Sequence, residues 1–196
     1  MKIIEYEQKY ESEVKDLLIE LQEYLASLDK RGVIVLKENY CDGYFAFVAE
    51  ECAKHEGNIF IAIANGHAIG MIVCKIFQGG GEDEFATLCS KIGFISDLVV
   101  TEDKRGHGIG KQLVKRAEKY FYENGCEYTQ LEVFAPNKKA FELYKKLDFG
   151  MNCYYLSKNV LYANGHTKSK LELKQSNQCK SKSRDSLRNL DFCQHI

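Results

Sequence analysis

The stretch "KRGHGIGKQL" (residues 104–113) places three glycines within five positions, at Gly106, Gly108 and Gly110. Glycine loses more chain entropy on folding than any other residue, so this density needs an explanation. The stretch follows the apolar "DLVV" (97–100) and enters a helical pattern over 107–124. A bare loop between a strand and a helix exposes the unpaired N–H groups and the positive dipole end of the helix. The pattern favours a pyrophosphate site, and a connection that merely turns the chain is the alternative.

Two well-known phosphate-binding motifs do not fit this stretch. A P-loop requires glycine where Arg105 stands and a hydroxyl side chain where Gln112 stands. The dinucleotide-binding fingerprint, counted from Gly106, requires its third glycine at Lys111. The sequence therefore indicates a different kind of phosphate-binding loop, one that needs no metal ion.

Hydrophobic spacing on either side of the loop predicts an α/β protein. Before the loop we expect helices over 10–29 and 40–55, strands over 58–64 and 67–77 that are joined by a turn at Asn65-Gly66, an acidic loop over 79–90, and a strand over 92–100. After the helix over 107–124 we expect a strand over 126–135, a helix over 137–147 and a strand over 149–159.

Composition and charge predict one domain over residues 1–160, followed by a polar, mobile tail over 161–196. The whole chain has a formal net charge of −1, which gives no electrostatic support to a role in binding polyanions. The tail carries seven Lys or Arg and three Asp or Glu, without interleaved aromatic residues. We therefore do not expect a nucleic-acid partner.

The eight cysteines are scattered, without a CxxC pair or a Cys/His spacing typical of metal ligands. We expect reduced thiols, no metal site and a cytoplasmic location. The charged N-terminal stretch does not resemble a signal peptide, and no run approaches the ~18 apolar residues of a membrane span. We expect no membrane partner, and the sequence leaves a homodimer open.

The segment around the loop resembles the [Q/R]-x-x-G-x-[G/A] motif of the GNAT superfamily of acetyl-CoA-dependent N-acetyltransferases. Arg105, Gly108 and Gly110 occupy its first, fourth and sixth positions. "LEVFAPNKKAFELYKKLDF" (131–149) resembles the strand, Asn, helix and Tyr that follow in that family. The resemblance implies a GNAT-like mixed, mostly antiparallel central sheet flanked by helices. In it, the parallel strands 92–100 and 126–135 splay apart, and acetyl-CoA lies between them.

The resemblance also implies which residues bind acetyl-CoA, the co-substrate, and which one acts on it. The pantetheine arm would pair with main-chain groups freed by the splay, and Asn137 would contact it. The implied binding residues are Leu98, Val99, Val100, Arg105, Gly106, His107, Gly108, Ile109, Gly110, Lys111 and Asn137. Asn137 is also placed to cap a helix, and Tyr144, seven positions later, lies about two turns away on nearly the same face.

The implied reaction is direct attack of a primary amine on the thioester, with Tyr144 as the general acid for the departing sulfur. Many relatives carry an acidic residue where Ser96 stands, so the base stays open between Asp97, Glu132 and a water chain. Because neighbouring strand residues point to opposite faces, we expect Ser96 and Asp97 not to line the same cleft. We expect a small-molecule amine as acceptor. A protein N-terminus or lysine is the alternative, and so is a regulatory module that binds acyl-CoA without turnover.

Overall fold

A computed structural model of the chain describes residues 1–78 and 91–158. The strands in this part of the chain are β1 (Lys2–Glu5), β2 (Asn58–Ala64), β3 (His67–Gln78), β4 (Lys91–Val100) and β5 (Tyr128–Leu131). The helices described there are α1 (Glu11–Leu28), α2 (Tyr40–Lys54), α3 (Ile109–Glu123) and α4 (Lys138–Lys145). Short 3₁₀ turns precede α1 and follow β4.

The five strands form one sheet in the order β1-β2-β3-β4-β5. The first three pairings are antiparallel, and β4 pairs with β5 in parallel. Asn65 and Gly66 both have positive φ, 53° and 86°, so they form the expected tight turn between β2 and β3. The predicted mixed, mostly antiparallel sheet with helices is confirmed.

Each face of the sheet carries its own hydrophobic core, because successive strand residues point to opposite sides. In β2, Ile59 and Ile61 pack with α1 and α2, whereas Phe60 packs with α3. Four residues recur in the sequence at helical spacing, which predicts one buried stripe, and all four are buried on α3: Ile109, Leu113, Ala117 and Phe121. Burying an Ile, Leu or Phe side chain contributes about 1.5–3 kcal/mol, so the two cores fix α3 and α1 on opposite faces of β4.

Gly93 of β4 lets α3 approach the sheet closely. A Cβ atom at Gly93 would lie 2.2 Å from Cγ of Phe121, which is far inside van der Waals contact. Phe121 is itself fully buried. A glycine is therefore required here by packing, and it holds α3 against the strand that leads to the glycine-rich loop.

Several sequence expectations differ from the structure. The strand expected over 126–135 is limited to Tyr128–Leu131, because the following residues diverge from β4 and lose its ladder. The strand expected over 149–159 is wrong for residues 149–158, which contain no strand. Gly150–Lys158 are exposed, and an alternating pattern forms a strand only where a partner strand and a core face match it. β1 was not predicted, since its apolar part is only Ile3 and Ile4.

The chain divides by its internal contacts into Met1–Phe149 and Gly150–Ile196. The first unit contains the whole sheet and the four helices described above. The acidic loop over 79–90 and the tail over 161–196, both singled out from the sequence, lie outside the described residues. The predicted domain boundary at residue 160 therefore stays a prediction.

Candidate active site

The candidate site begins where β4 and β5 separate. The parallel ladder runs from the Ile92–Tyr128 pair to the Ile95–Leu131 pair and ends there. β4 continues to Val100 in its pairing with β3. The last five residues of β4 thus have a partner strand on one side alone, among the residues that the structure describes.

The register of β3 and β4 decides which main-chain groups face this open side. Thr101 N–H donates to Ile69 C=O at 3.0 Å, and Gly70 lies opposite Val100. Because hydrogen-bonded and non-hydrogen-bonded pairs alternate in an antiparallel ladder, the N–H and C=O of Leu98 and Val100 point away from β3. Those of Val99 point toward Met71. The sequence predicted that the main-chain groups of Leu98, Val99 and Val100 bind the cofactor. The register leaves those of Leu98 and Val100 facing the open side.

The glycine-rich loop presents the N-terminus of α3 to the same side. Gly106 and Gly108 have φ of 81° and 78°, a conformation that costs other residues energy. Gly108 is the N-cap of α3, and its C=O accepts from Gln112 N–H at 3.1 Å. The N–H groups of the first helical turn, residues 109–111, have no partner within the helix. A Cβ at Gly106 or Gly108 would have no atom within 4 Å, so the chain is open to its surroundings at both of these positions.

The other predicted residues of the loop have different surroundings. Ile109 is buried in the core of α3, so it can offer only its main chain. His107 is exposed, and its Nδ1 lies 2.9 Å from the C=O of Arg105. Lys111 is exposed, and Gly110 lies next to Leu143, whose Cδ2 would be 3.4 Å from a Cβ there. This open, positively charged surface fits the phosphate groups of a nucleotide.

The side chain of Arg105 contacts the protein itself. Its Nε donates to the C=O of Val100 at 2.8 Å, and its Nη2 forms an ion pair with Glu20 of α1. The guanidinium also lies over the ring of Tyr24, 5.2 Å from its centroid. In these positions Arg105 holds the loop against α1 and occupies one of the two carbonyls that face the open side. A phosphate contact of Arg105 stays a prediction.

Asn137 is the N-cap of α4, as its position in the sequence suggested. Its Oδ1 accepts from Ala140 N–H at 3.1 Å, and Tyr24 donates to the same oxygen at 3.4 Å. The Asn137 side chain therefore still has both N–H donors of its amide to offer to a ligand. Tyr24 contacts both Arg105 and Asn137, so α1 connects the segment that follows β4 with the segment that follows β5.

Tyr144 lies on α4, and its side chain is 8% exposed. Its ring packs edge-on against Phe149 with centroids 5.6 Å apart. Burial raises the pKa of the Tyr144 phenol, and the nearby Asp97 carboxylate raises it further. The phenol is therefore protonated at neutral pH. None of the described residues forms a hydrogen bond with its hydroxyl.

A β-bulge at Ser96 places Asp97 on the α2 side of the sheet. Val73 lies opposite Asp97 and Cys74 opposite Ile95, so Ser96 has no partner position in β3. Ile95 packs in the core of α3, whereas Val99 packs in the core of α1 and α2. The bulge also brings neighbouring side chains together, because Ser96 Oγ donates to Asp97 Oδ2 at 2.8 Å. The expectation that these two residues do not line the same cleft stays a prediction.

The two carboxyls that the sequence offered as bases differ in their surroundings. Asp97 is 6% exposed, and its Oδ1 accepts from the hydroxyl of Tyr44 at 2.9 Å. Glu132 follows β5 and is exposed, although partial desolvation raises its pKa. Tyr44 and Tyr24 were not predicted as site residues. A bulge and a contact between distant helices leave no signal in the spacing of a sequence.

The described part of the chain contains no cluster of three His, Cys, Asp or Glu side chains that could hold a metal ion. Among the helices of residues 1–78 and 91–158, none is long and apolar enough to cross a membrane.

Known proteins resemble this chain in sequence and in fold. N-alpha-acetyltransferase MAK3 of Arabidopsis thaliana is 41% identical over 90 residues, which make up 46% of this chain and 43% of that protein. An N-alpha-acetyltransferase of Sulfurisphaera tokodaii is 33% identical over 117 residues, 59% of this chain and 68% of that protein. The match thus spans less than half of the Arabidopsis relative.

A solved structure of aminoglycoside N-acetyltransferase AAC(6')-Iy in complex with CoA superposes with a TM-score of 0.63. The superposition covers 81% of this chain and 93% of that chain at 19% identity, so the likeness concerns the fold alone. The sequence model of the acetyltransferase (GNAT) family matches residues 16–149, the segment that contains most of α1, together with β4, the glycine-rich loop and Tyr144. On that match, this chain belongs to the acetyltransferase (GNAT) family.

Proposed function

We propose that this protein transfers the acetyl group of acetyl-CoA to a primary amine. The observation that carries the proposal is the end of the β4–β5 ladder at Ile95 and Leu131, beyond which β4 continues to Val100 and leads through the glycine-rich loop to the N-terminus of α3. At one end of this opening, the glycine-rich loop and the N–H groups of residues 109–111 can bind a pyrophosphate. The other end offers the main chain of Leu98 and the buried phenol of Tyr144. A nucleotide joined to a thioester by an amide-containing arm fits this order of groups.

The amine attacks the thioester carbonyl, and negative charge develops on its oxygen. The N–H of Leu98, which points away from β3, is fixed by the sheet and can donate to this oxygen. One such preorganised donor commonly contributes about 3 kcal/mol to the transition state. Tyr144 supplies the proton for the departing sulfur, since its raised pKa keeps the phenol protonated.

For the acceptor we propose the α-amine of a polypeptide. The two relatives described above are named N-alpha-acetyltransferases, and they match at 41% and 33% identity. The small-molecule amine expected from the sequence stays a prediction, as does a lysine side chain. All three acceptors present a primary amine, so the chemistry at Leu98 and Tyr144 is the same for each.

The test is a thiol-release assay with acetyl-CoA and short peptides, accompanied by mass spectrometry of the peptides. We expect release of CoA together with peptides that are heavier by one acetyl group. The control is the same peptide with a blocked N-terminus, and a panel of small amines forms the second arm. Acetylation of small amines alone would overturn the polypeptide acceptor. Binding of acetyl-CoA without transfer to any amine would favour the regulatory module instead.

A further inference from the structure

The side chain of Arg105, at the start of the glycine-rich loop, is held by contacts from two other parts of the fold. Its Nε donates to the C=O of Val100 at 2.8 Å, and its Nη2 forms an ion pair with Glu20 of α1. Its guanidinium also lies 5.2 Å from the ring centroid of Tyr24, one turn further along α1. A planar guanidinium that is bonded along its edge and contacted on its face has a fixed orientation. Arg105 is therefore a fixed point at the start of the loop.

The glycine-rich loop has little rigidity of its own. Glycine has more backbone freedom than any other residue, and Gly106 and Gly108 adopt positive φ of 81° and 78°. A Cβ atom at either position would meet no other atom within 4 Å, so the chain is open to its surroundings there. At the far end of the loop, Ile109 is buried in the core of α3. The segment between Arg105 and Ile109 is thus anchored at its two ends, and the side chain of Arg105 provides the first anchor.

Helix α1 is a firm support for that anchor. Its residues Val14, Leu17 and Leu18 are buried in the core that also contains Val99 of β4. Glu20 follows two residues after this buried part of the helix. Because protein cores are close-packed, a helix that is buried along one face keeps its position relative to the sheet. The ion pair of Glu20 therefore ties the start of the loop to the core of the protein.

The ion pair also limits what Arg105 can offer to a phosphate. The Glu20 carboxylate balances the charge of the guanidinium, so the two side chains together add little net attraction for an anion. Arg105 already uses Nε and Nη2 within the protein, for Val100 and for Glu20. The main-chain N–H groups of residues 109–111 are the groups suited to a pyrophosphate. The surroundings of Arg105 thus favour a role in supporting the loop.

We propose that Glu20 is a positioning residue of the acetyl-CoA site. Through its ion pair with Arg105, it holds the glycine-rich loop in the conformation that presents the N–H groups of residues 109–111 to the pyrophosphate. This proposal rests on the use of acetyl-CoA proposed above. A loop that already has its bound conformation costs less to order when the ligand binds. In this way α1 contributes to the affinity for acetyl-CoA through a residue that does not touch it.

The alternative role of Arg105, direct contact with a phosphate, predicts the opposite effect of removing Glu20. In that case Glu20 competes with the ligand for the guanidinium, and its carboxylate also repels the phosphate groups. Glu20→Ala would then strengthen acetyl-CoA binding. If Glu20 positions the loop, Glu20→Ala weakens binding even though a negative charge has been removed. The sign of the change therefore separates the two roles.

The test measures the affinity for acetyl-CoA by calorimetry in the full chain. We expect Glu20→Ala to weaken binding by about fivefold or more, because the loop must then be ordered by the ligand. Glu20→Gln keeps an acceptor oxygen for Arg105 and should recover part of this loss. Glu23→Ala is the matched control, since it removes the same side chain and charge from an exposed position of α1. It should bind acetyl-CoA as wild type does.

Two further measurements separate positioning of the loop from a general loss of stability. In the Arg105→Ala background, Glu20→Ala should change the affinity by less than about twofold, because the pair is already absent. In the protein without ligand, the N–H of Gln112 should exchange with deuterium faster in Glu20→Ala than in wild type. Gln112 reports on the loop, since its N–H donates to Gly108 C=O at 3.1 Å. Exchange in β2 should keep its rate.

The outcomes distinguish failure of this proposal from failure of the proposed function. Unchanged or tighter binding by Glu20→Ala would overturn the role of Glu20 and leave acetyl transfer standing, and so would equal losses in the wild-type and Arg105→Ala backgrounds. If Glu20→Ala does not fold, the sign of the change in Glu20→Gln decides. Wild-type protein that binds acetyl-CoA without transfer would overturn the transfer and leave the role of Glu20 standing. If wild type does not bind acetyl-CoA, both proposals are wrong.

Discussion

Ile95 of β4 and Leu131 of β5 form the last pair of the parallel ladder, and beyond them the two strands separate. The separation leaves the main chain of Leu98 and Val100 on the open side, while β3 still holds β4 from the other side. The glycine-rich loop begins shortly after Val100 and leads to α3. A local loss of strand pairing thus leaves the N–H groups of Leu98 and Val100 and the C=O of Leu98 facing away from β3.

Tyr144→Phe should lower kcat at least tenfold and leave the affinity for acetyl-CoA unchanged. The substitution removes the proposed acid and keeps the ring that packs against Phe149. Steady-state kinetics and calorimetry measure the two quantities. Tyr122→Phe is the control, because Tyr122 is 83% exposed on α3 and should show wild-type kinetics. An unchanged kcat in Tyr144→Phe would remove Tyr144 from the mechanism.

Gly108→Ala should weaken acetyl-CoA binding at least tenfold. The residue has φ of 78°, so a methyl group there would strain the N-cap of α3 and displace the N–H groups of its first turn. Gly66→Ala is the matched control, since Gly66 has φ of 86° and open space around it in the β2–β3 turn. Calorimetry should show weaker binding for Gly108→Ala alone. Equal losses in both variants would point to general destabilisation.

Asn137→Ala should lower the free energy of unfolding by about 1 kcal/mol, the usual effect of losing an N-cap. Its Oδ1 accepts from Ala140 N–H in the first turn of α4. Asn137→Asp keeps a capping oxygen and removes the amide donors. We expect Asn137→Asp to retain stability in chemical denaturation and to bind acetyl-CoA more weakly. Wild-type binding by Asn137→Asp would limit this side chain to capping.

Asp29 should make the stability of the protein depend on pH in the acid range. Its carboxylate accepts from the N–H groups of Ile34 and Val33, and these bonds and Arg31 hold its pKa well below the ordinary value. A group with a depressed folded pKa stabilises the fold above its unfolded pKa of about 4, and this contribution is lost as the pH falls toward the folded value.

The measurement for Asp29 is the thermal midpoint of wild type and Asp29→Asn between pH 7 and pH 3. We expect the difference between the two proteins to shrink as the pH falls. Asp16→Asn is the control, because Asp16 is exposed on α1 and should follow wild type. A difference that stays constant with pH would show that the Asp29 carboxylate does not act through its charge.

Helices and turns with a clear local sequence pattern were predictable. Short strands, and strands that separate from their partner, were not. The stripe of α3 and the Asn65-Gly66 turn are local patterns, and both are present in the structure. β1 offers two apolar residues and exists because β2 pairs with it. The helical spacing of Tyr44, Phe47 and Val48 in the sequence predicts Phe47 on the inner face of α2, yet it is 49% exposed. Helical spacing predicts which residues lie on one face of a helix. How many of them are buried depends on the element that packs against that face.

The glycine-rich loop and the N-cap Asn137 were predictable parts of the site. The residues whose orientation depends on how β3 pairs with β4 were less predictable. The conformations of Gly106 and Gly108 follow from the residue type and the adjoining helix. Whether Leu98 or Val99 faces the opening depends on how β3 pairs with β4. The bulge at Ser96 shifts every side chain after it to the other face, which is why Asp97 meets Tyr44. Such a shift of one residue is set by the whole sheet.

Hydrogen–deuterium exchange with and without acetyl-CoA tests the central claim most directly, because it reports on the main-chain N–H groups themselves. We predict slower exchange at Leu98, at Val100 and at residues 109–111 when acetyl-CoA is present. The turn at Asn65-Gly66, on the β2–β3 hairpin, should exchange at the same rate in both conditions. Saturating acetyl-CoA that leaves exchange unchanged at the end of β4 and at the first turn of α3 would contradict the account.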